Sequence, residues 1–217
     1  MWGGFISSDR LAEILKPSTL GFLGVMAAAL VTVSVLVRVP STLLVDLAAT
    51  RGLQRANSKF LNKAAGWLTF MGNSSTLVLL TIGVVVICAV NHEWKAALFI
   101  ALSLVTIPLN VFIKSFFDRK RPGEDEVRVH AGPRWGTSYP SGHAMCSTAY
   151  YGFLAYLVWL HMTDPMWRWV MLTPLVLLPI GVSLSRVYVG AHWMSDVIGG
   201  MAAGMILLVF LAAIYPV

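Results

Sequence analysis

Long apolar runs separated by short polar stretches dominate this chain. Runs near the roughly 20 residues needed to cross a bilayer fall at about 19–39, 74–91, 95–113, 141–161, 168–186 and 192–214. The third contains Pro108, and the fifth contains Pro174 and Pro179. Open strands in lipid would leave backbone groups unsatisfied, so these runs predict helices. The expected fold is an all-α membrane protein with six transmembrane helices in one bundle. Six spans leave little room for a soluble domain, so residues 1–217 read as a single integral membrane domain, without internal repeat or low-complexity segment. The first run is too long for a signal h-region and lacks an obvious small-residue cleavage site, so it reads as a retained anchor.

The stretch Leu43 to Leu68 has a different pattern. Arg51, Arg55, Lys59 and Lys63 recur every four residues, while Leu53, Phe60, Leu61, Ala64 and Trp67 fall mostly on the other side. This predicts a basic amphipathic helix in the interface between the first and second spans. It serves either as a connector whose lysines and arginines snorkel or in substrate capture. Gly72-Asn73-Ser74-Ser75 offers capping residues for the second span. Gly200 and Gly204 form a small-xxx-small pattern that reads as a helix-packing contact.

Composition supports the membrane reading. The chain is 57% hydrophobic and only 12% charged, whereas a soluble domain is about a quarter charged. The formal net charge of +6 points to anionic lipid head groups or an anionic substrate rather than nucleic acid. Cys88 and Cys146 read as packed thiols, not a disulfide framework.

Three polar stretches carry candidate chemistry: Lys114 to Pro122 (KSFFDRKRP), Pro140 to His143 (PSGH) and Ser185 to Asp196 (SRVYVGAHWMSD). His192 and Asp196 are spaced i, i+4 and share a helical face if the sixth span starts there. The carboxylate can then accept from Nδ1–H, fix the tautomer and leave Nε2 as nucleophile or base. Pro140 and Ser141 mark a helix start, whose free N–H groups and dipole make an anion pocket. There Gly142 would admit a phosphate close to the backbone, Ser141 would add a hydroxyl, and His143 could give a proton to a leaving oxygen. Lys114 and Arg121 would lie two turns apart on a similar face if helix continues to Pro122. With Arg186 they could neutralise a phosphoryl group without a metal. Arg119 and Lys120 read as ordinary interface cations. Asp118 could pair with Lys114.

Counting spans places all three stretches on one membrane face and both termini on the other. The motif face carries Arg38, Arg51, Arg55, Lys59, Lys63, Lys114, Arg119, Lys120, Arg121, Arg128, Arg134 and Arg186. The opposite face carries Arg10, Lys16, Lys95 and Arg168. Charge bias alone makes the motif face cytoplasmic. Cations with a catalytic task are poor topology markers, however.

The pattern Lys-x6-Arg-Pro, Pro-Ser-Gly-His and Ser-Arg-x5-His-x3-Asp resembles the tripartite signature of the type 2 phosphatidic acid phosphatase family, without gap or substitution over residues 114–196. The resemblance implies a metal-independent lipid phosphatase with no cofactor. It makes His192 the nucleophile that forms a phosphohistidine, Asp196 its support and His143 the acid. Lys114, Arg121, Ser141, Gly142 and Arg186 would hold the phosphoryl oxygens. It also implies a bacterial inner (cell) membrane location with the site on the extracytoplasmic face. The expected substrate is a lipid phosphate such as phosphatidic acid or phosphatidylglycerol phosphate. Undecaprenyl diphosphate hydrolysis, or phosphate transfer to a second lipid, is the alternative. A lipid transporter that only holds phosphate would need no nucleophile with an orienting carboxylate. The loop Gly123 to Tyr139 is expected to rim the entrance, where Glu124, Asp125, Glu126, Arg128, His130 and Arg134 either select among head groups or are simply solvated. The choice of lipid and the oligomeric state are not legible in the sequence.

Overall fold

A computed structural model describes residues 16–130 and 136–216. Arg10 and Arg134 lie outside the described residues. The described residues form nine helices and no strands: α1 (Pro17–Leu36), α2 (Pro40–Gln54), α3 (Lys59–Met71), α4 (Ser74–Val90), α5 (Trp94–Ser103), α6 (Thr106–Lys114), α7 (Gly142–His161), α8 (Pro165–Tyr188) and α9 (Met194–Ile214).

Local chemistry explains the boundaries. Pro17, Pro40 and Pro165 occupy first-turn positions, where the missing N–H costs nothing. Ser58 and Asp164 accept from the backbone N–H groups of Leu61 and Trp167 and start α3 and α8. The apolar run 94–114 is broken between α5 and α6. Pro108 has no N–H to offer the Leu104 carbonyl. At this break the hydroxyls of Ser103 and Thr106 donate to the carbonyls of Ile100 and Ser103, each at 2.7 Å.

The outer surface is apolar: Val25, Leu79, Ile87, Val90, Trp159 and Trp169 are all exposed, and α1 buries no residue at all. In water such a surface would drive association; in a bilayer it meets lipid tails. Helix α7 is the hub. Its residues Cys146, Tyr150, Tyr151 and Phe153 form a buried cluster with Leu77 of α4, Phe99 and Ile100 of α5, and Leu211 and Tyr215 at the end of α9.

Among the described residues, four segments are long and apolar enough to cross a membrane: α1, α5 with α6, α8 and α9. A fifth arises if α3 and α4, bent by 59° at their junction, count as one span. Six were expected. The shortfall has a physical reason. Helix α7 has 20 residues, but it is enclosed by other helices, and its Ser147, Thr148, Tyr150 and Tyr151 are buried. A helix facing protein can be less apolar than one facing lipid. The stretch 43–68 is also not one helix. Arg55 to Ser58 separates α2 from α3, and Ser58 begins the second. Its basic residues Arg51, Arg55, Lys59 and Lys63 are exposed.

The small-residue pattern at Gly200 and Gly204 is a close helix contact. A Cβ on Gly200 would stand 2.5 Å from the Ser141 carbonyl oxygen, and one on Gly204 would stand 2.5 Å from that of Met145. These glycines press α9 onto the first turn of α7, so the packing also positions PSGH against the third stretch. Overpacking such a contact costs about 1–3 kcal/mol. Gly204→Val is therefore expected to lower the melting temperature in detergent and to shift α7 against α9. An unchanged melting temperature would contradict this packing.

Candidate active site

The three polar stretches meet. The backbone N–H of Ser141 donates to the Asp196 carbonyl at 3.0 Å, joining the second stretch to the third. Arg121 Nη1 donates to the Ala191 carbonyl at 2.9 Å and lies 3.2 Å from His192 Nε2, joining the first to the third. The site lies where α6 and α8 end and α7 and α9 begin, beside the α3–α4 junction.

The histidine–aspartate pair is built differently from the i, i+4 helix face expected. His192 precedes α9, which starts at Met194. Asp196 instead folds back over the helix start. Its Oδ2 accepts from the Trp193 N–H at 2.8 Å and from the Ser138 hydroxyl. His192 Nδ1 lies 3.5 Å from both Asp196 Oδ2 and Ser138 Oγ. Orphan N–H groups at a helix start need such an acceptor, so the cap that begins α9 also sets the carboxylate. A guanidinium can only donate. The contact with Arg121 therefore assigns the lone pair of His192 to Nε2 and the proton to Nδ1, on the Asp196 side. Burial holds the His192 imidazole down to about 4, against the favourable effect of Asp196. The ring is neutral at neutral pH, as a nitrogen nucleophile must be.

The first stretch also departs from expectation. Helix α6 stops at Lys114, where Ser115, Phe116 and Phe117 form i→i−3 bonds that tighten and end the last turn. Lys114 and Arg121 are thus not two turns apart on one helix. They converge through a loop, both donating to the Thr137 carbonyl, at 2.8 Å from Nζ and 3.3 Å from Nη2. Lys114 also donates to the Ser138 carbonyl at 3.4 Å. Its partners are carbonyls, and no ion pair joins it to Asp118 among the described residues.

Arg119 is not an ordinary interface cation. It bridges Asp196 Oδ1 at 2.6 Å and Asp46 Oδ2 at 2.5 Å. Asn73, expected as a helix cap, makes no side-chain cap bond; its Oδ1 accepts from His143 Nε2 at 2.7 Å. Arg186 is buried, with Nη1 donating to Thr69 Oγ1 at 3.4 Å. The sequence reading missed Asp46, Thr69, Asn73 as a histidine partner, Arg119 and Ser138. One signal was available: Asp46 is the lone carboxylate between Glu13 and Glu93, set in the apolar stretch of α2.

Three buried donors at this junction have no partner: Ser141 Oγ, Arg121 Nε and Arg186 Nε. Unsatisfied buried donors are costly and rare. They belong to the two arginines and the hydroxyl that the sequence singled out. Electrostatically, His143 is acted on by Arg186, His192, Arg121 and Lys114 together, so these groups share one locality. The carboxylates paired within this cluster are Asp46 and Asp196, and the cations gathered around them are Lys114, Arg119, Arg121 and Arg186. Four cations against two carboxylates leave a charge of two, the charge of a phosphomonoester dianion. Gly142 fits closely for another reason as well: a Cβ there would stand 2.9 Å from Asn110 Oδ1.

A cleft of about 560 Å³ lies against Arg121, lined by residues of 118–124, Gly136, Thr137, Gly190 and Ala191. Gly123, Glu124, Val129, Gly136 and Thr137 of the 123–139 loop line this cleft. Arg128 and His130 do not line it; they line a separate groove with Arg51 and Arg55. The Gln54 amide accepts from the Arg128 N–H at 3.1 Å and donates to its carbonyl at 2.7 Å. Gly190, with φ of 73°, turns the chain beneath Arg128 where a side chain would collide with that backbone. Among the described residues, no group of three or more His, Cys, Asp or Glu side chains is placed to hold a metal.

Comparison with known proteins agrees with this layout. The family model described as the PAP2 superfamily matches residues 93–217, more than half of the chain. Phosphatidylglycerophosphatase B of Bacillus subtilis is 28% identical over 167 residues, covering 75% of this chain and 79% of that protein. Decaprenylphosphoryl-5-phosphoribose phosphatase of Mycobacterium tuberculosis is 31% identical over 172 residues, covering 79% and 84%. The crystal structure of a transmembrane PAP2-type phosphatidylglycerolphosphate phosphatase from Bacillus subtilis superposes with a TM-score of 0.78 at 21% identity, over 87% of this chain and 93% of that one. At that identity the superposition speaks for the fold alone, but it is the same helical membrane fold. With the three stretches gathered at one junction and these matches over most of the chain, the protein belongs to the PAP2 superfamily.

Proposed function

We propose that this protein is an integral membrane lipid phosphatase that hydrolyses a phosphomonoester head through a phosphohistidine at His192, without a metal. The observation that carries the reading is the set of unpartnered buried donors, Ser141 Oγ, Arg121 Nε and Arg186 Nε, gathered at the junction where His192 Nε2 holds a lone pair. A phosphoryl group would satisfy all three and balance the surplus charge. Fixed cations and donors around the transferred group are the main requirement of phosphoryl transfer.

In the first step Nε2 of His192 attacks phosphorus in line, the bond to the leaving lipid oxygen breaks, and His143, protonated on both nitrogens once the bound phosphate dianion offsets the surrounding cations, gives that oxygen the proton from Nδ1 while Nε2–H stays on Asn73. Asp196 supports the positive ring through Nδ1–H. In the second step His143 takes a proton from water, water oxygen attacks phosphorus, and the N–P bond breaks to release inorganic phosphate. Asn73 holds the His143 ring for both steps. Lys114, Arg121, Arg186, Ser141 and the Gly142 amide hold the phosphoryl oxygens.

A lipid phosphate suits a site at helix ends, since the tail can stay in the membrane while the head enters the cleft. Relatives named for phosphatidylglycerophosphate and for a decaprenylphosphoryl sugar phosphate support this class. Phosphatidic acid and phosphatidylglycerol phosphate are the favoured substrates. A second reading is diphosphate hydrolysis: an undecaprenyl-diphosphatase of Sulfolobus acidocaldarius is 44% identical over 68 residues, 31% of this chain and 28% of that protein. In either case we place six spans in a bacterial inner membrane, with α4 and α7 spanning despite their length or polarity, and the site on the extracytoplasmic face.

Purified protein in detergent with a chelator is expected to release inorganic phosphate from phosphatidic acid or phosphatidylglycerol phosphate. His192→Ala should lower kcat by on the order of 1,000-fold or more. Phosphate release that persists in this variant would remove His192 as the nucleophile, and release that stops with chelator would remove metal independence. A parallel kinetic panel with undecaprenyl diphosphate separates the two readings. For sidedness, Asp125→Cys in a Cys88→Ser, Cys146→Ser background should react with a membrane-impermeant maleimide in intact cells. Labelling only after permeabilisation would place the site in the cytoplasm.

A further inference from the structure

Arg119 touches none of the unpartnered donors of the anion cradle, yet it is tied to the base of it. Nη1 donates to Asp196 Oδ1 and to Ser195 Oγ, each at 2.6 Å, and Nη2 donates to Asp46 Oδ2 at 2.5 Å. Asp46, on α2, is only 2% exposed. It also accepts from the Ser195 N–H at 2.9 Å and from the Ser195 hydroxyl at 2.7 Å. The Arg119 side chain is 11% exposed. Two buried carboxylates without a cation between them would be strongly unfavourable, so the three groups form one closed unit.

The geometry divides the two oxygens of Asp196. Oδ1 is taken by Arg119. Oδ2 is left to the Trp193 N–H, the Ser138 hydroxyl and the Nδ1 side of His192. A carboxylate turns easily about its last torsion, which is broad and two-fold. The Arg119 contact holds Oδ1 away from the imidazole, acting together with the Trp193 N–H and the Ser138 hydroxyl that hold Oδ2. Asp46 lies outside residues 93–217, the part matched by the family model, so α2 contributes an anchor from beyond that segment.

We propose that Arg119, anchored by Asp46, is a positioning residue: it pins Asp196 so that Oδ2 stays on His192 Nδ1 and Nε2 stays in line with phosphorus. This rests on the phosphatase reading above. It assigns Arg119 a role unlike that of Lys114, Arg121 and Arg186, because Arg119 acts through Asp196 and not on the phosphoryl group. Its loss should therefore slow chemistry and leave anion binding alone.

The test compares wild type, Arg119→Ala, Arg119→Lys and Asp46→Asn in detergent on the lipid that the wild type hydrolyses. A misplaced catalytic group can cost about 100-fold, and Arg119→Ala is expected to lose kcat on that scale. Its KM and its inhibition constant for inorganic phosphate should stay within about threefold, as expected for an interaction felt only in the transition state. Added guanidinium should restore part of the Arg119→Ala rate and none of the His192→Ala rate. Asp46→Asn should lose less, and the double variant should be no slower than Arg119→Ala, because the two residues act as a unit. A loss of phosphate affinity that matches the loss of kcat would make Arg119 an anion ligand and overturn the proposal. An unchanged kcat would reduce the cluster to a structural ion pair. If Arg119→Ala does not fold, Arg119→Lys and Asp46→Asn carry the same split. A wild type that releases no phosphate sinks the phosphatase reading itself, whereas an active wild type indifferent to Arg119 sinks only this one.

Discussion

One buried carboxylate holds the arrangement together. Asp196 accepts from Arg119 of the first stretch, from Ser138 just ahead of the second, and from the Trp193 N–H of the third. Its own backbone carbonyl accepts from Ser141. A charge fully removed from solvent is tolerated only when its lone pairs are filled, and the donors that fill them come from widely separated parts of the chain. Closing the fold around Asp196 and assembling the junction at His192 are thus the same event. That event also starts α9, because the Trp193 N–H bond is the cap of its first turn.

Membrane packing makes this convergence possible. Lipid gives no hydrophobic drive for helices to associate, so close backbone contact has to supply it. Gly200 and Gly204 provide that contact and press the start of α9 onto the start of α7. The polar side chains of α7 are tolerated because α8, α9, α5 and α4 surround it. The price of building polar groups into a membrane bundle is enclosure, and α7 is the most enclosed helix. The same enclosure leaves Ser141, Arg121 and Arg186 with buried donors that no protein group satisfies. Many buried polar groups, such as Thr106 and Gln54, are paired, although Thr50, Thr148, Tyr150 and Ser183 also carry hydroxyls without a partner. What sets the junction apart is that two of its unpaired groups are guanidinium nitrogens, gathered with a hydroxyl beside His192.

Much of this was legible because apolar length and motif spacing are local properties. The runs at 19–39 and 168–186 became α1 and α8 with ends shifted by a few residues. The gathering of PSGH with the third stretch followed from counting helix ends. What the sequence hid was nonlocal or depended on where a helix stops. The i, i+4 spacing of His192 and Asp196 suggested a helix face, but the helix begins only after His192, and a capping contact produces the proximity. Lys114 and Arg121 suggested a shared face, but α6 ends at Lys114. Arg119 and Lys120 are adjacent cations with the same local context. Their distant partners distinguish them: Arg119 reaches Asp46, more than seventy positions earlier, and Ser195 and Asp196, more than seventy later. Asn73 sits where a cap is expected and faces a histidine instead, because α7 brings His143 to it.

Part of the surplus of arginine and lysine on the motif face is committed within the folded structure, which weakens it as a topology signal. The positive-inside bias concerns cations that are free to interact with the membrane and its insertion machinery. Here Arg119 is committed to two carboxylates, and Lys114 and Arg121 are committed to carbonyls around Thr137. Arg51 donates to the Glu126 carbonyl, and Arg38 donates to that of Phe116 while lying 5.0 Å from the Phe117 ring centre. On the opposite face Arg168 is likewise engaged, with the Met162 carbonyl and the Trp159 ring. Cations fixed by the folded structure report on what the fold needs at that surface. Counting them as free charge would let the requirements of an anion cradle masquerade as a rule about insertion. A site lined with cations therefore cannot be assigned to a side of the membrane by the same charges that build it.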